Sequence, residues 1–349
     1  MSLPFVLVHP ADDYACGRYR LRYPAEGIAR AGIANPIISY EFLPLDQLAG
    51  LAPDVIVVQR VLEREQLRYL ARLRRELDAY VVMDLDDLLT DIPWENKLGR
   101  NFHKDTAARL REACSRVDRL IVSTPFLAQA YGDWAPETVI CRNALPSNIW
   151  SFPPRPPRAF GRRPRVGWAG SSGHLGDLKV LYPVVRALAD RVDWVFMGDI
   201  PGALAKYSAE VHPRVPIDDY PRALYNLDLD LAVAPLVACD YNAAKSHLRL
   251  LELGACSFPV VCSDVEAFSG VPMPGVFRVP NDSHAWIETI SDLLEYPDNL
   301  SDWGSLLRAH IEVHWVVDAR VGEWASAWCL GPDVPSLATL RRSCSSPTL

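Results

Sequence analysis

The chain has 349 residues, of which 49% are hydrophobic and 23% charged, and its formal net charge is −7 at pH 7. This length suits two domains that each bury a core, and the acidic balance disfavours general nucleic-acid binding while leaving local basic patches relevant. No apolar run approaches the ~18 residues of a transmembrane helix, and the start lacks the features of a signal peptide, so we expect a cytoplasmic protein without stable membrane insertion.

Short apolar runs alternate with helical patterns in the first part of the chain. The predicted strands are Phe5–His9, Pro36–Tyr40, Asp54–Gln59, Tyr80–Leu85, Arg119–Ser123 and Thr138–Arg142. The helical patterns are Leu21–Ala31, Arg60–Leu77, Thr106–Arg116 and Pro125–Tyr131. This alternation is typical of parallel βαβ units, and it predicts one domain over residues 1–150.

Residues 151–164 are predicted to be an interdomain linker. With the following Arg165, the stretch contains five prolines and five arginines, which suits neither a helix nor a central strand. It is either a stiff solvated tether, which the composition favours, or a basic patch that meets an anionic partner.

The alternation then resumes and predicts a second βαβ domain over residues 165–313. Its strands are Arg165–Trp168, Trp194–Met197, Leu229–Ala234, Val260–Ser263 and Gly275–Val279. Its helices are Asp177–Asp190, Tyr220–Asn226, Ala243–Ala255, Ser283–Leu294 and Asn299–Ile311. A last helix, Val317–Trp328 within residues 314–330, precedes a Ser- and Pro-rich tail, 331–349, that we expect to be flexible.

Eight cysteines are scattered along the chain without a Cys-x-x-Cys pair. Several lie in apolar stretches. We therefore expect buried, reduced thiols in preference to disulfides or a zinc site.

A loop of small residues follows the first strand of the second domain. It contains Gly170, Ser171, Ser172 and His174 and leads into a helix. Small residues between a strand and a helix let backbone N–H groups approach an anion, but a tight structural turn explains the loop equally well.

A polar stripe marks the predicted helix Ala243–Ala255. Lys245, Arg249 and Glu252 are spaced to share one helix face, and Asn242 is placed to cap the first turn, next to the Ser246 hydroxyl. Two cations and a carboxylate suit a nucleoside diphosphate, with the cations at the phosphates and the carboxylate at the ribose hydroxyls. The alternative is an ion pair within the helix on a solvated face.

The segment Asn242-x-x-Lys245-Ser246-x-x-Arg249-x-x-Glu252, with its continuation to Asp264, resembles the donor-binding segment of family four glycosyltransferases. Other stretches resemble the same family in order and spacing: Gly167–His174, Gly17–Arg20, Asp84–Asp87, Val122–Thr124 and Asn143–Pro146. The resemblance covers about residues 1–328. It implies an α/β protein of the GT-B fold, with two Rossmann-like domains facing each other across a cleft and the last helix returning to the first domain.

The chain departs from the family pattern at three places. Many members carry two glutamates, and Glu252 matches the second, whereas the first falls on Ala244. The family's usual Gly-Arg pair is Gly167-Trp168 here, which leaves Lys245 and Arg249 as the best phosphate cations. Asp86 is the best match to a position where the family often has histidine.

Two polar clusters of the first domain remain open to alternatives. Asp84, Asp86 and Asp87 resemble a metal-binding Asp-x-Asp motif, but we favour a metal-free role on the acceptor side, where strand ends collect functional groups. The cluster Arg18, Tyr19, Arg20 either holds an acidic group of the acceptor or pairs with nearby carboxylates.

The resemblance predicts a retaining, metal-independent glycosyltransferase that uses a UDP- or GDP-sugar and requires no cofactor. Asp86, Lys245 and Arg249 are the expected catalytic residues. The acceptor is a glycan, a lipid-linked sugar, a protein or, less favoured, a modified DNA base. The rival hypotheses are a nucleotide-sugar epimerase or phosphorylase on this fold and a non-catalytic sugar- or nucleotide-binding protein.

Overall fold

The computed structural model describes residues 3–93, 104–155 and 161–330. Of these, 3–90, 104–146 and 317–330 form one compact unit, and 91–93, 147–155 and 161–316 form another. The predicted tail, 331–349, and the centre of the predicted linker, 156–160, lie outside the described residues. Within the described ranges, no helix is long and apolar enough to cross a membrane.

A parallel sheet forms the centre of the first unit. Its described strands are β1 (Phe5–His9), β2 (Asn35–Ile38), β3 (Val55–Gln59), β4 (Tyr80–Leu85), β5 (Arg119–Val122) and β6 (Thr138–Ile140). They lie in the order β2-β1-β3-β4-β5-β6. Every residue of β3, β4 and β5 is buried, as expected for parallel strands that are covered on both faces.

Helices follow most of these strands. They are α1 (Ala15–Gly17), α2 (Tyr23–Arg30), α3 (Leu45–Leu51), α4 (Arg64–Glu76), α5 (Thr106–Cys114) and α6 (Pro125–Tyr131), with a π-helical turn at Arg18–Arg22. α4 starts at a capping box in which the side chains of Glu63 and Gln66 satisfy each other's backbone N–H groups. The short α3 was not predicted from the sequence.

A second parallel sheet forms the centre of the other unit. Its described strands are β7 (Arg165–Gly170), β8 (Asp193–Gly198), β9 (Ser208–His212), β10 (Leu231–Ala234), β11 (Val260–Ser263) and β12 (Val276–Val279), in the order β12-β11-β10-β7-β8-β9. The edge strand β9 was missed because polar residues alternate along it and none of its residues is fully buried.

The helices of the second unit are α7 (Leu181–Leu188), α8 (Gly202–Ala205), α9 (Tyr220–Tyr225), α10 (Asp240–Ala243), α11 (Leu248–Ala255), α12 (Glu266–Ser269), α13 (Ser283–Glu295) and α14 (Pro297–His314). The single helix predicted over Ala243–Ala255 is wrong. One helix ends at Ala243 and the next begins at Leu248. The residues between them therefore do not lie on a common helix face with those of α11.

The last helix, α15 (Val321–Ala327), belongs to the first unit. Trp324 and Trp328 are fully buried in the core of that unit, beside strands β1 and β3. A Cβ at Gly27 of α2 would lie 2.5 Å from Cγ1 of Val317, so only glycine permits this approach of the returning chain.

All seven cysteines within the described residues are free thiols, and five of them are buried. Burial was thus expected correctly for these five, whereas Cys16 is partly exposed and Cys239 is exposed.

Candidate functional site

The candidate donor site lies where the strand order of the second sheet reverses. β7 comes first in the chain, β8 and β9 lie on one side of it, and β10 to β12 lie on the other. The loops that follow β7 and β10 therefore leave the carboxyl edge in opposite directions and open a crevice, which is where ligands of such sheets bind.

Asp177 joins the segments around this crevice. Its carboxylate accepts hydrogen bonds from the backbone N–H of Val237, beyond β10, and from Nδ2 of Asn242, in α10, both at 2.9 Å. It also lies 3.0 Å from Nδ1 of His174, in the loop after β7. One buried carboxylate thus fixes three separate segments of the site.

His174 lies in the electrostatic field of the two predicted phosphate cations. Burial is the main cause of its lowered pKa, and the charges of Arg249 and Lys245 lower the pKa further, whereas Asp177 raises it. The lowered pKa leaves the imidazole neutral at pH 7.

Packing requires glycine where the loop after β7 begins, in addition to any binding role of the small residues there. A Cβ at Gly170, the last residue of β7, would lie 2.3 Å from the Trp168 ring, and Gly198 has a φ of +101° with its Cβ position against the carbonyl of Gly170. Ser171 and Ser172 come next, and Ser172 begins a short 3-10 turn that ends at His174. Both explanations of this loop, tight turn and anion cradle, remain compatible with its geometry.

Lys245 and Ser246 lie in the break between α10 and α11. Nζ of Lys245 is 4.4 Å from the centroid of the Tyr241 ring, a cation–π contact. The prediction that Asn242 caps a helix here is wrong, because Asn242 is inside α10 and its side chain donates to Asp177 and to the carbonyl of Val237. Asn242 therefore shapes the loop beside Lys245.

Arg249 and Glu252 lie on α11, 3.6 Å apart at their closest atoms. Oε2 of Glu252 also accepts a hydrogen bond from the Tyr220 hydroxyl, at 3.2 Å. Burial, followed by the charge of Glu252, raises the pKa of Tyr220, so this hydroxyl keeps its proton. The alternative of an ion pair within the helix thus describes Arg249 and Glu252.

At the carboxyl edge of the first unit, Arg20 and Asp84 form a fully buried pair. Nε and Nη2 of Arg20 donate to the two carboxylate oxygens of Asp84, at 3.0 and 2.7 Å, and both side chains have 0% exposure. Nη1 donates to the carbonyl of Cys141 and to Oδ1 of Asn143. Direct contact of Arg20 or Asp84 with an acceptor would require this network to open.

The neighbouring basic residues are paired in the same way. Nε of Arg18 donates to Asp13 at 2.9 Å, and Tyr19 is buried against the ring of Tyr23. Arg60 binds Asp12 at 2.6 Å. The pairing alternative thus describes the Arg18–Arg20 cluster.

Asp86 and Asp87 follow β4 and remain partly exposed. Ligand atoms of Cys16, Asp86 and Asp87 lie within 4.8 Å of one another, a spacing found for no other such group of three among the described residues. Asp84, the first residue of the Asp-x-Asp motif, accepts hydrogen bonds from Arg20 at both carboxylate oxygens.

The environment of Asp86 raises its pKa to about 6. Burial is the largest cause, the charge of Asp87 adds to it, and Arg60 acts in the opposite direction. Burial and the charges of Asp86 and Asp87 also raise the pKa of Cys16, which is therefore a neutral thiol at pH 7. A carboxyl group that titrates near neutral pH suits general acid–base chemistry.

Sequence reasoning passed over one His-x-x-x-His pair, His310 and His314 on α14. Their ring centroids are 4.8 Å apart, and Nε2 of His310 accepts from the Trp315 indole at 3.3 Å. No third metal-ligating side chain of the described residues joins them, so the pair is not a metal centre there.

Comparison with known proteins identifies the fold. No protein-family model and no curated protein sequence matches the chain. Among solved structures, a glycosyltransferase from Rickettsia africae matches with a TM-score of 0.65, at 12% identity over 93% of this chain and 98% of that one. Sucrose-phosphate synthase from Thermosynechococcus elongatus matches with a TM-score of 0.62, at 13% identity over 93% and 98%. The chain has the GT-B fold.

A further GT-B structure, HepE from Anabaena in complex with UDP, matches with a TM-score of 0.61, at 14% identity over 94% of this chain and 100% of that one. The predicted fold class, α/β with two Rossmann-like sheets of GT-B type, is confirmed. At such identities the likeness establishes the fold, and the activity has to be argued from the site residues.

Proposed function

We propose that this GT-B protein is a retaining glycosyltransferase that moves a sugar from a nucleotide-diphospho sugar to an acceptor. The observation that carries the proposal is that Asp177 joins the His174 loop to the Asn242 segment at the switch point of the second sheet, where the charges of Lys245 and Arg249 act on His174. Two cations beside a loop of small residues suit a diphosphate.

The main catalytic role of this site would be to stabilise the negative charge that develops on the departing diphosphate. Lys245 and Arg249 would stabilise it, together with Ser246 and the backbone N–H groups near Gly170–Gly173, because preorganised charges act most strongly where water is excluded. The Glu252 carboxylate is the candidate group for accepting hydrogen bonds from the ribose hydroxyls. Arg249 and Tyr220 contact its Oε2.

In the retaining reaction that the family resemblance implies, the acceptor attacks the face from which the diphosphate leaves. No nucleophilic side chain is then required, and positioning supplies much of the rate. Asp86 is the candidate residue for charge or proton chemistry at the transferred sugar, because its pKa of about 6 keeps it near both protonation states at pH 7.

UDP-sugars are the first donors to test, since HepE, a protein of the same fold, was solved with UDP and with UDP-glucose. GDP-sugars remain the second choice. The proposal requires no metal and no further cofactor.

Thermal stabilisation by a panel of nucleotide sugars tests the proposal, because a ligand at 100 times its Kd stabilises a protein by about 2.7 kcal/mol. Sugar release or transfer from the stabilising donor is then measured. Stabilisation without hydrolysis or transfer to any acceptor would favour the non-catalytic binding protein, and conversion of the free donor without an acceptor would favour the epimerase. Absence of stabilisation by every UDP- and GDP-sugar would reject a donor site.

A further inference from the structure

The role of Asp177 follows from what its carboxylate can accept. It is 7% exposed, and it is contacted by Val237 N–H, by Nδ2 of Asn242 and by Nδ1 of His174, at 2.9 to 3.0 Å. An ionised carboxylate only accepts hydrogen bonds, so the ring nitrogen that faces it must carry a proton. His174 therefore has its proton on Nδ1 when the ring is neutral.

This tautomer limits what the other nitrogen can do. In the neutral ring, Nε2 bears a lone pair and can accept but not donate a hydrogen bond. It becomes a donor only when the ring takes up a second proton. A diphosphate offers acceptors alone, so the neutral ring cannot donate to it.

The charged groups that act on His174 are Asp177, from its own loop, and Lys245 and Arg249, from the segment around α11. Burial and the two cations keep the imidazole neutral when no anion is present. A diphosphate between these groups would reverse the balance, because a nearby negative charge favours the cationic ring. Asp177 would stabilise that cation from the opposite side of the ring.

We propose that Asp177 is a positioning residue that holds the Nδ1–H tautomer of His174 and enables its ring to take up a proton when a sugar diphosphate binds. The imidazolium then donates from Nε2 to the diphosphate, alongside Lys245 and Arg249. This inference rests on the proposed donor site.

Calorimetry with UDP-glucose, or with GDP-mannose where only that binds, measures the proton. Both probes have a diphosphate diester without a proton to lose between about pH 6 and 8, so any linked proton comes from the protein. Titrations in two buffers of different ionisation enthalpy should show uptake approaching one proton per ligand in the wild type. Affinity should fall with rising pH, by up to about tenfold per unit where uptake is complete.

Two variants distinguish a positioning role of Asp177 from a purely structural one. His174→Gln keeps a donor but cannot titrate, so proton uptake should vanish. Asp177→Asn keeps an acceptor oxygen for Val237 and Asn242 but presents an NH₂ group to His174, so the ring should change to the Nε2–H tautomer and uptake should fall. Long-range ¹H–¹⁵N spectra report the tautomer, with His174 assigned by the signal missing in His174→Gln.

The outcomes are distinct. Binding by the wild type without proton uptake would overturn the inference and leave the donor site intact. Equal weakening at every pH in Asp177→Asn, with uptake unchanged, would reduce Asp177 to a structural role. If the wild type binds neither probe, the proposed donor site fails for them, and an Nε2–H tautomer in the unliganded protein would then reject the role of Asp177 by itself. The wild-type spectrum and His174→Gln keep the test decisive even if Asp177→Asn does not fold.

Discussion

The two sheets end in carboxyl edges with different electrostatics. At the edge of the first sheet, three arginines are closely paired with carboxylates: Arg18 with Asp13, Arg20 with Asp84 and Arg60 with Asp12, at 2.6 to 2.9 Å. At the edge of the second sheet, Lys245 lies over the Tyr241 ring and Arg249 is 3.6 Å from Glu252. The first edge thus has short ion pairs, whereas the Arg249–Glu252 separation at the second edge is longer.

This difference favours different proposed roles for the two edges. A cation in a short, buried pair with a carboxylate, as Arg20 is with Asp84, contributes little to a phosphate site, because a ligand would first have to displace the partner. The first edge also carries Asp86, whose pKa is raised to about 6, which suits proton chemistry. Diphosphate binding is therefore proposed for the second edge alone.

The largest expected effect is on the stability of the first unit. Asp84→Ala leaves the Arg20 guanidinium buried without its partner and should lower the free energy of unfolding by about 3–5 kcal/mol, measured by urea denaturation. The matched control is Glu76→Ala, which breaks an exposed pair with Arg72 on α4 and should lower the free energy of unfolding far less, because exposed ion pairs contribute little. Equal losses of unfolding free energy in the two variants would show that the buried Arg20–Asp84 pair is no more important for stability than the exposed pair.

The rate of sugar transfer should depend on Asp86, whereas the affinity for the donor should not. Asp86→Asn cannot change its protonation state or carry the charge, and we expect transfer to fall by ~10²-fold or more. Donor Kd should be unchanged, because the phosphate cations belong to the second unit. Asp46→Asn, an exposed substitution in the same unit, is the control. A fall in affinity equal to the fall in transfer would contradict this division.

Lys245→Ala and Arg249→Ala should each weaken nucleoside-diphosphate binding about 10–100-fold, since a hydrogen bond to a charged group contributes about 1.5–3 kcal/mol. Lys206 offers a matched control, because its ammonium lies 4.9 Å from the Tyr207 ring in a similar cation–π contact. Lys206→Ala should bind as the wild type does. Calorimetry that finds unchanged affinity for both site variants would reject the phosphate role of the second edge.

The smallest expected effect is that of a chelator. Asp84 is held by Arg20, so we expect transfer to continue in EDTA at an unchanged rate. Loss of activity in EDTA that manganese or magnesium restores would instead indicate a cation, with Cys16, Asp86 and Asp87 as the group to examine by substitution.

Local patterns in the sequence were sufficient for the repeating units of the fold. The strand bounds of Tyr80–Leu85 and Val260–Ser263 agree with the structure residue for residue, since continuous apolar runs are typical of parallel strands that are buried on both faces. The alternation of such runs with helical spacing predicted two βαβ domains, and the resemblance to family four glycosyltransferases implied the GT-B type.

The partners of the charged residues were decided by the tertiary structure. Arg20 meets Asp84 across 64 residues, and Asp177 meets Asn242 across 65, because a buried charge must find a partner but the sequence does not say which of several carboxylates or amides it will reach. The helix break at Lys245 has the same origin. Helical spacing placed Lys245, Arg249 and Glu252 on one face, whereas the hydrogen bonds of Asn242 to Asp177 and Val237 belong to the loops of the second sheet, which no local pattern encodes.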